Sequence, residues 1–497
     1  MKLYVKDMEI STGGTQVVIL NRADARKLDL HPEDRVLLKR GARKTIAVVD
    51  IDDSNKIITK MKIGMFEDVI KALNAKNDDE VHMYMAEKPD SVHYIKKKLL
   101  GQELTKEEIY EIVRDIVNNN LTSVELSYFV AAEFIKGSTF AETVNLTKAM
   151  IDTGAKLKIN HKMIVDKHSI GGIPGNRTTP IVVPILISAG LICPKTSSRS
   201  ITSPAGTADT VEVFCKVDHT ISEVKRIIKK VGGCMIWGGA VNLAPADDKI
   251  IRVEHPLSLD PEGQLLASIL AKKASVGANH ILIDMPVGKT AKVKNLEKAN
   301  HLAYEFKKIG HEFGMKIEVF PTDGSQPIGN GLGPALEAKD VLYVLMNDSR
   351  QPLVLREKSL ELAGAMLEMA HKAIRGRGYD KAKYILDSGK AYEKFIEIVK
   401  AQGGSITLPE QINVGQFTYD CLAWKHGVVK EINNKAISKL ARIAGAPVNK
   451  GSGIYLYKHV GDAVKKGERL FTLHAESGKR LEYAVKFLKI ADGYTIG

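Results

Sequence analysis

Three stretches of the chain combine residue types that could handle an anion and move a proton. The first reads Asp166-Lys167-His168-Ser169-Ile170-Gly171-Gly172-Ile173-Pro174-Gly175-Asn176-Arg177-Thr178-Thr179. It leaves an apolar strand, expected over residues 163–166, and enters a helix expected over 179–189. Glycines let backbone approach a ligand without Cβ obstruction. A helix start offers unpaired N–H groups and a positive dipole end. Lys167 supplies full charge, and Ser169 and Thr179 supply hydroxyls. By composition this is a phosphate cradle, although it is not the Gly-x-x-x-x-Gly-Lys-Ser/Thr loop of nucleotide-hydrolysing enzymes. The plain structural alternative is a glycine-rich turn beside an incidental lysine.

The second stretch, residues 197–209, packs six hydroxyl residues and Arg199 into eleven positions. That density suits an anion with many oxygens, or else a solvated Ser/Thr loop. The third runs His255-Pro256-Leu257-Ser258-Leu259-Asp260 into residues 261–273 and on to Lys292. Asp260 precedes Pro261, an expected first helical residue. It reads either as a helix cap or as a general acid. Ser268 and Lys272 are four apart and share a helix face.

Four regions must position these residues. Residues 1–85 are mostly β, with Val/Ile-rich runs at 16–20, 36–38 and 45–50 and turns at Gly13-Gly14 and 52–55, which predicts a small barrel. Residues 86–153 predict a helical bundle. Thr105-x-x-Glu108, Thr122-x-x-Glu125 and Thr139-x-x-Glu142 are capping boxes, and Gly154 is the expected stop. Residues 154–411 alternate strand, glycine loop and helix, with further strands at 281–284 and 317–320, as in an α/β sheet that binds ligands at its carboxyl ends. Residues 412–497 return to β, with strands at 427–431, 453–457 and 469–474. The fold class is thus a multidomain α/β chain.

Bulk properties narrow the function. A length of 497 residues implies several domains. A formal charge of +13 favours anionic ligands, nucleic acid included. Aromatics are only 6%, and no basic-aromatic stretch appears, which argues against a nucleic-acid binder. No run approaches a membrane span and no secretion signal opens the chain, so a cytoplasmic enzyme without a membrane partner is expected. The four cysteines are scattered, and no ligand cluster calls for a metal.

Taken together and in order, residues 167–172 (Lys-His-Ser-x-Gly-Gly), 197–207 (Ser-x-Arg, then Gly-Thr) and 268–273 (Ser-x-x-x-Lys-Lys) resemble the thymidine phosphorylase and AMP phosphorylase family. The likeness spans roughly residues 86–497. The AMP branch is the closer match, because it carries an N-terminal domain of this length, a Ser-Arg-x-Ile-Thr-Ser stretch (here 198–203) and an aspartate, here Asp260, where the nucleoside branch has an arginine. The resemblance implies a phosphorolysis needing no cofactor or metal: a nucleoside 5′-monophosphate (AMP, with CMP and UMP open) and inorganic phosphate give free base and ribose 1,5-bisphosphate, in nucleotide salvage.

It also implies roles. Lys167, Ser169, Thr179, Ser197 and Thr207 would hold phosphate. Gly172, Ser198, Arg199, Ser200, Ile201, Thr202, Ser203, Thr207, Ser268 and Lys292 would hold the nucleotide. Arg199 is expected to meet a phosphate, and Asp260 to protonate the departing base. The helical domain is expected to be discontinuous, with a return segment over about 252–282 and substrate in the cleft it forms with the α/β domain. The C-terminal region resembles a biotinyl-type barrel-sandwich without the Met-Lys tip. The family forms homodimers, and the AMP branch larger assemblies. The rivals are a pyrimidine nucleoside phosphorylase and a magnesium-dependent enzyme like anthranilate phosphoribosyltransferase.

Overall fold

A computed structural model describes residues 1–200, 203–257, 259–488 and 493–497, with the side chain of His255 outside that description. The chain divides into two compact units, Met1–Gly154 with Pro245–Ser268, and Ala155–Ala244 with Ile269–Gly497.

The first unit opens with six strands, Lys2–Asp7, Val17–Asn21, Arg35–Arg40, Arg43–Asp52, Lys62–Met65 and Glu80–Met85. They pair into a closed barrel. Its cause is the period-2 pattern: Leu3 and Val5, Val18 and Leu20, Val36 and Leu38, Ala47 and Val49, Val81 and Met83 are alternate residues, all buried in one core.

Four helices follow, Ser91–Leu99, Lys106–Val117, Ser123–Lys136 and Phe140–Thr153. All three expected capping boxes form, at Thr105, Thr122 and Thr139. Glu142 does more than cap. Its carboxylate also takes the buried Lys98 ammonium at 2.6 Å and the Leu104 N–H at 2.9 Å. The helix Pro245–Glu254 packs against the second, third and fourth of these helices. Lys249 there donates to the carbonyls of Ile116 and Val117 at 2.8 and 2.7 Å. The return segment is therefore Pro245–Ser268, not residues 252–282. Residues after Ser268 lie with the second unit, where the strand His280–Val287 is registered between two parallel neighbours.

The second unit is built on parallel strands. Val165–Ser169 pairs with His280–Val287, which pairs with Lys316–Asp323. Cys193–Ser197 pairs with Gly233–Trp237, and a parallel bridge between Ile164 and Ile192 links the two sets. The helix Thr179–Ser188 is buried on every side, which explains its unbroken apolar run.

The C-terminal region contains two helices that the β-only expectation omitted, Asn434–Ala444 and Gly478–Leu488. Both close over the core made by its two sheets. One sheet also borrows Gly331–Leu332 from far upstream, paired with Tyr455 and Ile454. Gly333 permits this close approach: its φ is +124°, and a Cβ there would lie 2.4 Å from the Ser452 carbonyl. The four cysteines are buried thiols. Among the described residues no helix is long and apolar enough to cross a membrane.

Candidate phosphate and nucleotide site

The strand expected over 163–166 runs instead from Val165 to Ser169, so the first motif begins on the sheet itself. Alternation then sends Lys167 and Ser169 to one face and Asp166 and His168 to the other. The two faces carry separate ionic networks.

On the first face, Lys167 is almost wholly buried and donates to the Thr178 hydroxyl at 2.7 Å. It also lies 3.4 Å from Asp284 on the neighbouring strand. Asp284 is the hub. It accepts from Thr322 at 2.7 Å and Asn176 at 3.0 Å, and Lys358 stands 3.1 Å away. Asn176 reaches Ser169 Oγ at 3.2 Å. Burial opposes ionisation of Asp284, but Lys167, Lys358 and the two donors hold its carboxyl well below the usual range. Burial pushes Lys167 the other way, down to about 8 despite Asp284.

On the opposite face Asp166 pairs with Lys273 at 2.6 Å and with Lys195 at 3.5 Å. Desolvation and then the charges of Lys273, Lys195, Lys272 and Lys167 hold His168 well below its ordinary pKa, so the imidazole is neutral. Lys273, from the Ser-x-x-x-Lys-Lys motif, is thus a buried counter-ion of the strand.

After Ser169 the chain turns through Gly171, Gly172 and Gly175, all in the left-handed region. Gly172 runs against Lys292, whose backbone nitrogen would be 3.0 Å from a Cβ there. The structure therefore brings Lys167, Ser169, Gly172 and Lys292 together, with Thr179 buried at the first turn of the helix after the glycines. The partner of Lys167 is Thr178 rather than Thr179.

Ser197 ends its strand, and its buried hydroxyl has no hydrogen-bond partner among the described residues. Ser198 is exposed. Asp209 shapes the adjoining loop by accepting from the Ser200 N–H at 2.7 Å and the Gly206 N–H at 2.8 Å. Ser200 and Ser203 bond each other. Ile201 and Thr202 lie outside the described residues. Arg199 is engaged within the chain. Its guanidinium is taken up by Glu212 at 2.7 Å, with Asp209 at 3.4 Å and Asp218 at 3.7 Å, over the Trp237 ring. Three carboxylates thus surround the cation expected to meet a phosphate.

The cation that reaches the Thr207 hydroxyl is Arg177, at 2.9 Å, with its Nε on buried Glu337 and Nη2 on the Ala205 carbonyl at 2.8 Å. Arg177, Asn176, Thr178, Asp284 and Lys358 were not singled out from the sequence. Three of them sit inside the quoted first motif. Asp284, like Asp166, is a carboxylate ending an apolar strand, a signal that was available.

Gly206 gives a direct test of this loop. A Cβ there would lie 2.6 Å from Ser198 O, Arg199 C and Ser200 N, all backbone. Gly206→Ala should push the two loop limbs apart and cost about 1–3 kcal/mol, read from denaturant midpoints. An unchanged midpoint would mean the limbs yield freely.

In the first unit, Asp260 is exposed. The helix Glu262–Ser275 starts with Leu265 N–H on the Pro261 carbonyl. Pro261 thus stands immediately before the first helical residue, with Asp260 preceding it. Ser268 is half-buried on the same helix.

Comparison with known proteins now places the chain. The helical bundle domain of the glycosyl transferase family matches residues 92–154, and the a/b domain of that family matches 161–392. The pyrimidine nucleoside phosphorylase C-terminal domain matches 428–496. The chain is 49% identical to the AMP phosphorylase of Pyrococcus furiosus over 98% of its own length and 96% of that relative. It is 47% identical to that of Thermococcus kodakarensis and 44% identical to that of Methanococcoides burtonii, each over the same shares. The crystal structure of anthranilate phosphoribosyltransferase from Thermus thermophilus superposes with a TM-score of 0.53 at 20% identity, over 63% of this chain and 100% of that one, a likeness of fold alone. With three domain matches in sequence order and near-full-length identity close to one half, the chain belongs to the AMP phosphorylase family.

Proposed function

We propose that this enzyme cleaves the glycosidic bond of AMP with inorganic phosphate, releasing adenine and ribose 1,5-bisphosphate. A phosphate oxygen forms a bond to C1′ of the ribose as the bond from C1′ to the base breaks. The electron pair leaves with the base, and a ring nitrogen of the base takes a proton from Asp260. The observation that carries this reading is the buried Lys167, set midway along a parallel strand whose carboxyl end is followed by three left-handed glycines. Such a cation costs stability unless a ligand or counter-ion offsets it.

In this reading inorganic phosphate meets Lys167, Ser169, Thr179, Ser197 and Thr207. Ser197 contributes a buried hydroxyl with no partner among the described residues. Gly172, Ser198, Ser200, Ser203, Ser268 and Lys292 hold the nucleotide, together with Ile201 and Thr202. Arg199 is assigned a different task, fixing the 197–209 loop through Glu212. CMP and UMP as further substrates, a cytoplasmic setting and assembly into homodimers or larger homo-oligomers belong to the same proposal.

The test is to follow free base from AMP and from adenosine, each with phosphate. Turnover of AMP well above adenosine supports the reading, whereas preference for an unphosphorylated pyrimidine nucleoside would replace it with the nucleoside phosphorylase activity.

A pH dependence follows from Lys167. Its ammonium is present below about 8 and is lost above, so kcat/KM for phosphate should fall as pH rises through about 8. Stability should move oppositely. The folded pKa lies below the ordinary 10.5, so the unfolded chain binds more protons between those values. The cost of burying the charge is full below about 8 and fades as pH climbs toward 10.5. Lys167→Arg should carry the alkaline limb of activity to higher pH. A limb that stays in place would assign it to another group.

A further inference from the structure

Within the first unit, away from every residue assigned above to phosphate or nucleotide except the acid's neighbour, lies a cavity of about 740 Å³. That volume is in the range of small-molecule sites, about 300–1,000 Å³. Three pieces of chain wall it: the barrel with its Gly13-Gly14 turn, the start of the helix Ser123–Lys136, and the return segment from Lys249 to Leu259. Much of the wall is apolar, with Leu126, Val253 and Leu259 among its residues, and Tyr128 adds an aromatic ring.

Two guanidinium groups break this apolar lining. The Arg35 side chain is only 7% exposed, yet its Nη1 has no hydrogen-bond partner among the described residues. Glu125 pairs with its other nitrogen, and that carboxylate is shared with the Thr122 N–H and hydroxyl. Arg252 donates to the Gly13 carbonyl at 3.1 Å. Its Nη1 occupies the space that a Cβ at Gly14 would take. Lys249 is not a candidate anchor, because its ammonium already has three oxygen acceptors at 2.6–2.8 Å. The cavity thus offers a buried, under-satisfied guanidinium, a second one steered by a glycine turn, and an apolar wall with an aromatic edge.

We propose that this cavity binds an organic anion with a planar apolar body, of the mononucleotide class, as a site separate from the one where AMP reacts. The anion pairs with Arg35 and Arg252, and the ring lies against Leu126, Tyr128 and Val253. A purely inorganic anion would leave the apolar wall unused, and an apolar ligand would leave Arg35 unsatisfied. The site has a mechanical consequence. Leu259, in its wall, is bonded to Asp260, so occupancy fixes the segment that presents the proposed acid and couples binding here to turnover.

The site stands on the cavity and not on the phosphorolysis reading, and a binding count keeps the two apart. Equilibrium dialysis of the full chain with labelled AMP, without phosphate, should give two AMP per chain. Arg35→Met and Arg252→Met should each remove one of them, while the thermal midpoint of the Arg252 variant stays close to that of the parent. Hydrogen exchange across residues 249–260 should slow with AMP in the parent and not in Arg35→Met. One AMP per chain in the parent, or two retained in both variants, would overturn the proposal.

Discussion

Asp260→Asn should lower kcat for AMP by about 10²- to 10⁴-fold, the usual worth of a general acid, with little change in AMP binding. Asparagine keeps the size and the hydrogen-bonding edge of the side chain but has no proton to give at neutral pH. The helix start keeps its Leu265 N–H bond to the Pro261 carbonyl, and circular dichroism of the variant checks that the helix survives. A further readout separates an acid from a residue that only shapes the loop. The loss should be smaller for a nucleotide whose base departs readily without protonation. Near-normal turnover would take Asp260 out of the acid role.

Lys167 gives the second large effect, and the network around it makes a single substitution ambiguous. Lys167→Met removes a charge-assisted contact to phosphate worth about 1.5–3 kcal/mol, which raises the phosphate requirement roughly 10- to 150-fold. It also leaves Asp284 buried with Lys358 as its one remaining ammonium partner among the described residues, and breaking a buried pair costs about 3–5 kcal/mol. A double variant resolves this. Lys167→Met with Asp284→Asn deletes both partners, so denaturant unfolding should recover much of the lost stability while the phosphate requirement stays high. If stability and phosphate use recover together, Lys167 acts only through the fold. If neither single nor double variant alters phosphate dependence, the cradle is elsewhere.

Much of this was legible because local rules and global packing agree. Val/Ile-rich runs foretold three of the six barrel strands, and Ser/Thr-x-x-Glu foretold three helix starts to the residue. The motif strand was misplaced for a specific reason. Lys167 and Ser169 are polar, and a pattern reader ends a strand where the apolar run stops, but here the strand continues to Ser169 because Asp284 and Lys358 supply partners from distant chain. The surroundings of Arg199 were hidden for a related reason. An arginine among hydroxyls reads as an anion contact, and nothing in the local sequence announces that Glu212, Asp209 and Asp218 close on it. Spacing reports which residues are near in sequence, and charge matching depends on which are near in space. The limits of the return segment were blurred similarly, since the helix Glu262–Ser275 carries no break at Ser268 to mark where one unit's packing ends.

The strand borrowed by the C-terminal sheet has a consequence for engineering and for descent. Gly331–Leu332 supplies an edge pairing to Gly453–Leu456, and Leu332 is part of that region's apolar core. Excising the last 80 or so residues as a module would strip them of a ladder neighbour and a core side chain at once, baring backbone groups ready to pair with any other chain. Such a fragment should aggregate when expressed alone and recover solubility when a peptide spanning residues 328–336 is supplied. For the same reason, exchanging this region between relatives should succeed only when the upstream tie travels with it.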